Sequence, residues 1–568
     1  MDAGEILLRR GLISPRQLEQ LRRVAPEGTA AQIEKAVELG FVDEDTALRA
    51  IGDEVGLDYV DLASTPVDLS LLKSFPTRLI HRETLFPVRR DNGQLVVATA
   101  DPFDLYPIDE VSATTGLSVV PVLSSRREIE RLIKTHLGVG SETVDGLLQS
   151  MEDVELLSGV DEQGVQELTD QAQEASVIKL VNEILMEAIQ SRASDVHIEP
   201  QADGLTVRYR IDGVLQIQPM PPEISRFQAA IISRLKIMSR LNIAEKRLPQ
   251  DGRMKLKIQG REIDVRVSVI PMVHGEGVCL RILDKGSMKF DLKTLGMEED
   301  TYQTFRELIE LPHGIILVTG PTGSGKTTTL YSALLEINKP DIKIITTEDP
   351  VEYQLPGINQ IQVHSKIGLT FAHSLRSILR HDPDVILIGE IRDLETAENA
   401  IQASLTGHLV FSTLHTNDAA GAYTRLIDMG VEPFLVASTV EAVMAQRLVR
   451  RLCLDCRQAF EPHRDDLPPD FPHEKLSGPL FRAVGCRKCR NTGFSGRMGI
   501  YELLVTDERI RQLAHDSAST WELKQAAVDA GMRTLRDDGW IKVLRGDTAL
   551  EEVLRVTKGD RLMVRRSA

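Results

Sequence analysis

A stretch of eight residues constrains this chain more than any other feature. Gly320-Pro321-Thr322-Gly323-Ser324-Gly325-Lys326-Thr327 fits G-x-x-x-x-G-K-[ST], follows the apolar run Ile315-Ile316-Leu317-Val318 and precedes a helical stretch starting near Thr328. Its glycines let the backbone curl so that N–H groups face a β-phosphate, and the helix start adds partial positive charge. Lys326 is placed to neutralise β/γ oxygens and Thr327 to ligate Mg²⁺. Gly320 to Thr328 are therefore expected to cradle a nucleotide, ATP, at the head of a strand, loop and helix unit.

The flanking pattern fits such a unit. Ile342-Lys343-Ile344-Ile345, Val385-Ile386-Leu387-Ile388 and Leu409-Val410-Phe411 are continuous apolar runs separated by helical stretches. Runs of this kind suit a parallel sheet covered by helices on both faces. Hydrolysis also needs a carboxylate to orient or deprotonate water and a group to meet charge developing on the γ-phosphoryl. Glu348 in Thr-Thr-Glu-Asp-Pro and Glu390 in Gly-Glu-Ile-Arg-Asp follow two of these strands, and the carboxyl ends of parallel strands converge. His408 and His415 flank the run from Leu409 to Leu414. His415, which ends it, is expected to sense the γ-phosphate or bound water, and His408 to be structural.

The chain has 568 residues, enough for three or four units of roughly 150 residues each. Its 84 acids and 67 bases leave a net charge of -17, which disfavours a broadly cationic nucleic-acid surface. Residues 141–175 hold ten acids and no base, so self-repulsion and sparse core material there imply a flexible acidic linker. No apolar run approaches the roughly 18 residues that span a bilayer, and MDAGEILLRRGLIS has no export-signal pattern. The expectation is a soluble or peripheral protein of the cytosol.

The first 140 residues read as a small mixed module, with a strand at Gln94 to Thr99 after the turn Asp91-Asn92-Gly93. Leu7 to Pro15 resembles Ala36 to Glu44, each a helix end, a glycine stop and a polar cap, so a degenerate helical repeat is expected. From Ser176, a good cap, Val177, Leu180, Val181, Ile184, Leu185 and Ala188 recur at helical spacing. Leu205, Val207, Tyr209 and Ile211 then alternate as a strand turning at Asp212-Gly213, and Ile263 to Val269 alternate again with Arg266 on the polar face.

Four of five cysteines form two C-x-x-C pairs, Cys453/Cys456 and Cys486/Cys489, with 29 residues between them. Four thiolates suit tetrahedral Zn²⁺ of a closed, structural kind, the rival being two redox pairs. Cys279 is expected to be a small core residue.

Together these residues carry a family resemblance. Ser194-Asp195-Val196-His197-Ile198-Glu199-Pro200, Arg247-Leu248-Pro249-Gln250-Asp251-Gly252-Arg253, the phosphate loop, Glu348-Asp349-Pro350-Val351-Glu352, the segment Asp382 to Asp393 and the His415 box resemble the secretion, or traffic, ATPases, most closely those of type II secretion. The resemblance implies an α/β chain in which a RecA-like ATPase domain follows a PAS-like α+β module and a small mixed N-terminal module, with a zinc subdomain near the C-terminus. It implies these boundaries: 1–140 for partner docking, 141–175 linker, 176–288 PAS-like, 289–450 ATPase, 451–497 tetracysteine zinc, 498–568 C-terminal helical.

It also implies a homohexamer whose nucleotide lies between the ATPase domain and the preceding module. Glu348 looks like the catalytic glutamate of the acidic box and Glu390 like the acid of the second Walker element; the generic element has aspartate there, so Mg²⁺ contact through water is expected and either glutamate can be the base. Arg266 and Arg281 match family arginines of the PAS-like module, and Arg376 and Arg380, four apart on one expected helix face, match a second pair; Arg253 is a weaker candidate. The family function is ATP hydrolysis driving pseudopilus assembly and protein export at the cytoplasmic face of the inner membrane. Its partners are a secretion platform and a membrane-anchored protein docked on the N-terminal module. Rival readings are a type IV pilus extension ATPase, a nucleic-acid translocase, which the acidity disfavours, and a nonhydrolysing scaffold. Some relatives bind cyclic di-GMP through a repeat beginning Arg-Leu-Gly and ending in Gln; here Asp2-Ala3-Gly4 and Val24 stand at those places, so a helix-hairpin adaptor is expected instead.

Overall fold

The computed structural model describes residues 2–25, 30–73, 75–104, 106–141, 143–144, 162–258, 260–284 and 290–557. The chain divides in sequence into two compact units, the first ending at Leu283 and the second beginning at Asp284.

In the first unit the helical repeat is present. Helix Ala3–Arg9 stops at Gly11 (φ 71°) and Ser14 caps Pro15–Val24, while the helix ending at Glu38 stops at Gly40 (φ 69°) and Asp43 caps Glu44–Val55. In both copies the chain reverses on the same bonds, Leu12 N–H to Leu7 O and Phe41 N–H to Ala36 O, each at 2.9 Å. Strands β1 (Phe86–Asp91), β2 (Gln94–Thr99) and β3 (Val119–Leu123) follow as a small sheet.

The second part of this unit is a six-stranded sheet. Its strands are β4 (Ala193–Gln201), β5 (Gly204–Ile211), β6 (Val214–Gln218), β7 (Gln250–Ile258), β8 (Arg261–Met272) and β9 (Gly275–Asp284), in the order β6-β5-β4-β9-β8-β7. One face packs on helix Glu162–Gln190 and helix Gln228–Met238 through Leu180, Ile184, Tyr209, Ile231 and Val265. The helix expected from Ser176 begins fourteen residues earlier, so 162–175 continue it and are not linker. Glutamate and glutamine are good helix formers, and acids at a helix start favour its dipole. Of the rest of the expected acidic linker, Ser141, Thr143 and Val144 are buried, Val144 in the core of this six-stranded sheet, so they are not linker either, while 142 and 145–161 lie outside the described residues. Cys279 is half-buried on the more polar face of β9, between inward-facing Val278 and Leu280, and is not a core residue.

The second unit is built on a seven-stranded sheet. It comprises β10 (Gly314–Thr319), β11 (Ile344–Glu348), β12 (Asn359–Gln362), β13 (Val385–Ile388), β14 (Leu409–Leu414), β15 (Val440–Leu452) and β18 (Phe494–Val505), ordered β12-β11-β13-β14-β10-β15-β18. All neighbours are parallel except β15 and β18. Alternate residues of β10 serve different cores: Ile316 and Val318 pack with Leu330, Leu334 and Phe305, whereas Ile315 and Leu317 pack with Leu375, Ile386 and Ile401. Burial on both faces is why these strands read as continuous apolar runs.

The expected break at 497/498 falls inside β18, which pairs with β15 from Leu452↔Phe494 to Ala442↔Val505. Leu523, Leu535, Trp540 and Val543 of the C-terminal helices share a core with Val443 and Ile500, so the helices complete the ATPase fold instead of forming a separate region. A two-stranded ribbon, β16 (Gln458–Phe460) and β17 (Leu480–Arg482), lies between the cysteine pairs. Among the described residues no helix is long and apolar enough to cross a membrane.

Buried charge fastens the last helix. Glu552, 2% exposed, accepts from Arg450 Nη2 at 2.5 Å and Arg555 Nη2 at 2.8 Å. Burial alone would raise its pKa, but the two guanidiniums outweigh it and hold the carboxyl down at about 2. A carboxylate depressed below its unfolded value stabilises fully above that value and less as pH falls toward the folded one, by about 1.4 kcal/mol per unit. Glu552→Gln is expected to lower unfolding stability by about 3 kcal/mol at pH 7. The gap between the two proteins in denaturant melts should narrow from pH 5 to pH 3; a constant gap would contradict the assignment.

Candidate functional site

Four strands adjacent in the sheet, β11, β13, β14 and β10, bring the expected site residues to one carboxyl edge. Glu348 ends β11, Glu390 follows β13, His415 follows β14 and the glycine loop follows β10. The loop is built as its sequence requires. Gly320, Gly323 and Gly325 have φ of 146°, 79° and 93°, and helix Lys326–Ile337 starts directly after them. A Cβ on Gly320 would come 2.6 Å from Gln446 O, and one on Gly325 2.7 Å from Gln446 Nε2, so only glycine fits against β15.

The charges suit an anion. Lys326 is half-buried, and Nζ donates to the carbonyls of Gly320 (2.7 Å) and Pro321 (3.2 Å). Burial lowers its pKa to about 8, Glu390 opposing the shift and Arg447 adding to it. The buried Ser324 hydroxyl has no hydrogen-bond partner among the described residues, while Thr327 is exposed at the loop's end. Lys326, Thr327 and the curled amides fit a triphosphate with a divalent cation.

The two glutamates differ in surroundings. Glu348, 4% exposed, takes hydrogen bonds from the Tyr331 hydroxyl, from Thr346 Oγ1 at 2.5 Å and from Gln360 Nε2 at 3.1 Å. Burial and the neighbouring carboxylate push the Tyr331 phenol well above its ordinary pKa, which keeps it a donor. Glu390 is held on both sides: the Arg392 guanidinium Nη2 lies 2.5 Å from one oxygen and His415 Nε2 3.3 Å from the other. His408 contacts Ala403 O at 2.9 Å through Nδ1, at the end of helix Leu394–Leu405.

Three residues here were not singled out in the sequence. Arg392 stands two residues past Glu390 in Gly-Glu-Ile-Arg-Asp and turns back onto its carboxylate. Arg447 Nη2 donates to Asn417 O at 2.6 Å and its Nη1 to Gln446 O at 2.9 Å, and Gln446 Oε1 accepts from Thr329 at 2.8 Å. Only the register of β10 against β15, more than a hundred residues on, brings Gln446 and Arg447 to the loop.

The remaining candidate arginines belong to other elements. Arg376 is exposed on helix Phe371–Ile378 and pairs with Glu395. Arg380 falls past that helix, with N–H to Ser377 O at 3.1 Å, so the two do not share a helix face. Asp382, with φ 53°, and Pro383 stop the helix early. In the first unit Arg281 Nε donates to Asp195 at 3.1 Å across the β4/β9 register, and Arg253 Nε donates to the buried Asp264 at 2.6 Å. Arg266 is half-buried on β8, opposite Arg253.

Cys453, Cys456, Cys486 and Cys489 come together, all Sγ atoms within 4.8 Å of one another. Three of the separations are 3.8, 3.7 and 3.7 Å. A tetrahedron with Zn–S bonds of about 2.3 Å has edges of about 3.8 Å. Burial raises the Cys489 thiol, but amide donors from Cys486 (3.1 Å) and Gly493 (3.2 Å) outweigh it and bring its pKa to about 7. The donor set fits a structural Zn²⁺ with no open position.

A family model described as "Type II/IV secretion system protein" matches residues 170–555, and the MshEN domain model matches 55–143. The MshEN match leaves out residues 2–25, where Asp2 caps the first helix and pairs with Arg22 at 3.1 Å. The chain is 46% identical to the Type II secretion system protein E of Xanthomonas campestris pv. campestris over 98% of both chains. It is 42% identical to the Type IV pilus assembly ATPase PilB of Myxococcus xanthus, over 98% of this chain and 99% of that one. Among solved structures, the pilus retraction motor PilT with bound ADP aligns at 28% identity and a TM-score of 0.43 over 66% of this chain and 96% of that one. With a glycine loop, two strand-end acids and a family model spanning two thirds of its length, the chain belongs to the Type II/IV secretion system proteins.

Proposed function

We propose that this chain hydrolyses ATP and that turnover drives pseudopilus assembly and protein export through a type II secretion system. The observation that carries the reading is the glycine loop with Lys326 at the same sheet edge as Glu348, Glu390 and His415, in a chain aligned over 98% of its length with a Type II secretion system protein E.

The amides of Gly320 to Thr327 bind the β-phosphate, and Lys326 exchanges the carbonyls of Gly320 and Pro321 for β/γ oxygens. Thr327 would hold Mg²⁺, which when bound offsets phosphate charge. Glu390 and His415 orient the attacking water, and Glu348 supplies a second carboxylate at the neighbouring strand end. Arg266, Arg281, Arg376 and Arg380 meet the γ-phosphoryl charge when subunits of a homohexamer close, which ties chemistry to movement. Residues 1–140 dock a membrane-anchored partner, placing the ring on the platform at the cytoplasmic face of the inner membrane. The tetracysteine segment is held by Zn²⁺ for stability. Identity to PilB supports a second reading, extension of a type IV pilus with the same site. Deleting the gene separates the two: lost export with intact pili supports secretion, and the reverse supports the pilus.

Three outcomes are expected of the purified protein. In steady-state phosphate release, Lys326→Ala, Glu390→Gln and Glu348→Gln each lose about 100-fold or more in turnover. A Lys326→Ala protein as active as the unaltered one would end the motor reading. Because Lys326 titrates near 8 and binds phosphate only when protonated, affinity for a fluorescent ATP analogue should fall above that pH, by up to about tenfold per unit. A flat profile from pH 7 to 9.5 would refute this role of the lysine. Elemental analysis should find about one zinc per chain. Cys486→Ser should lose the metal and melt at lower temperature while still binding nucleotide.

A further inference from the structure

The loop that follows His415 is gripped on two sides. Toward the phosphate loop, Thr416 N–H donates to Thr319 Oγ1 at 2.8 Å, and Asn417 O accepts from Arg447. On the other side the contacts are buried charges. Asp418 accepts from Gly421 N–H at 3.0 Å and from Lys524 Nζ at 3.1 Å. Lys524 projects from helix Thr520–Asp529 and also lies 3.6 Å from Glu502 Oε2. Glu502, on β18, is fully buried and accepts from Ala419 N–H at 2.9 Å and Leu535 N–H at 3.3 Å. Side-chain exposures of 9% for Lys524, 11% for Asp418 and 0% for Glu502 put all three charges out of water. Two carboxylates in such a place hold their geometry only with a cation between them.

We infer that Lys524 is a positioning residue for ATP turnover. Through Asp418 and Glu502 it fixes the main chain from Thr416 to Gly421, and with it the place of His415 beside Glu390. The C-terminal helices thereby set the rate of hydrolysis without touching nucleotide. The inference rests on the reading of Glu390 and His415 as hydrolytic groups and adds a residue about 110 positions beyond His415 in the sequence.

The test uses the full chain carrying Lys524→Met, Lys524→Arg or Asp418→Asn, with turnover, affinity for a fluorescent ATP analogue and amide hydrogen exchange measured on each. Lys524→Met and Asp418→Asn should lower kcat about tenfold or more with affinity within about threefold of the unaltered protein. Exchange at the Ala419 and Gly421 amides should quicken while helix Lys326–Ile337 keeps its protection. Lys524→Arg, which keeps the cation, should recover at least about half of kcat. Unchanged kcat in a folded Lys524→Met protein, or an arginine variant no better than methionine, overturns the inference. Should the methionine variant not fold, full turnover in Asp418→Asn overturns it equally. Hydrolysis persisting in Lys326→Ala brings down the reading of the whole site; a silent Lys524→Met beside a dead Lys326→Ala brings down this inference alone.

Discussion

One threonine hydroxyl joins the two loops on which the site depends. Thr319 ends β10, and its Oγ1 accepts the Thr416 N–H at 2.8 Å and lies 2.7 Å from Thr416 Oγ1. The bond is possible because β10 and β14 run parallel in register, Thr319 opposite Leu414, so both chains leave the sheet at one level. The glycine loop and the His415 loop therefore start from a shared anchor. A slip of one residue would turn Thr319 to the opposite face and separate them.

Above that anchor, charge distinguishes two acids of the same type. Glu348 is surrounded by donors that are neutral at physiological pH, Tyr331, Thr346 and Gln360, each from a different place in the fold. Glu390 has the Arg392 guanidinium and the His415 imidazole in contact, and the charge of Lys326 is near enough to be felt. Neutral donors fix a carboxylate in place, whereas cations that a phosphate also attracts hold it in a balance that an arriving nucleotide changes. The pair is thus prepared for different work by what surrounds each.

Much of this arrangement was legible in the sequence because it is local. Strand, glycine loop and helix follow one another from Ile315 to Thr328, and an apolar run ending in an acid marks a strand edge without help from the rest of the chain. The repeat in residues 7–44 was legible for the same reason, since a glycine with positive φ and a cap three residues later act within one turn. What the sequence hid is pairing at a distance. Nothing local marks Gln446 and Arg447 until β15 is laid beside β10, or Lys524 until β18 brings Glu502 near it and Asp418. Arg380 shows the reverse error: spacing of four implies a shared face, but a helix ended by Asp382-Pro383 leaves it outside. Helix Glu162–Gln190 shows that charge repulsion does not outweigh helix propensity in a segment rich in Glu and Gln.

The cysteine cluster acquires a role from its place in the sheet. β15 runs directly into Cys453, and β18 starts at Phe494, five residues after Cys489. Cys453 N–H donates to Gly493 O at 2.9 Å, and the ladder resumes at Leu452↔Phe494. The four sulfurs therefore close the end of an antiparallel pair whose inner strand carries Gln446 and Arg447 against the glycine loop. Closing the long connection between two strands lowers the entropy lost in pairing them. The cysteine cluster thus closes the strand pair on which the glycine loop rests, and so belongs to the same construction as the candidate nucleotide site.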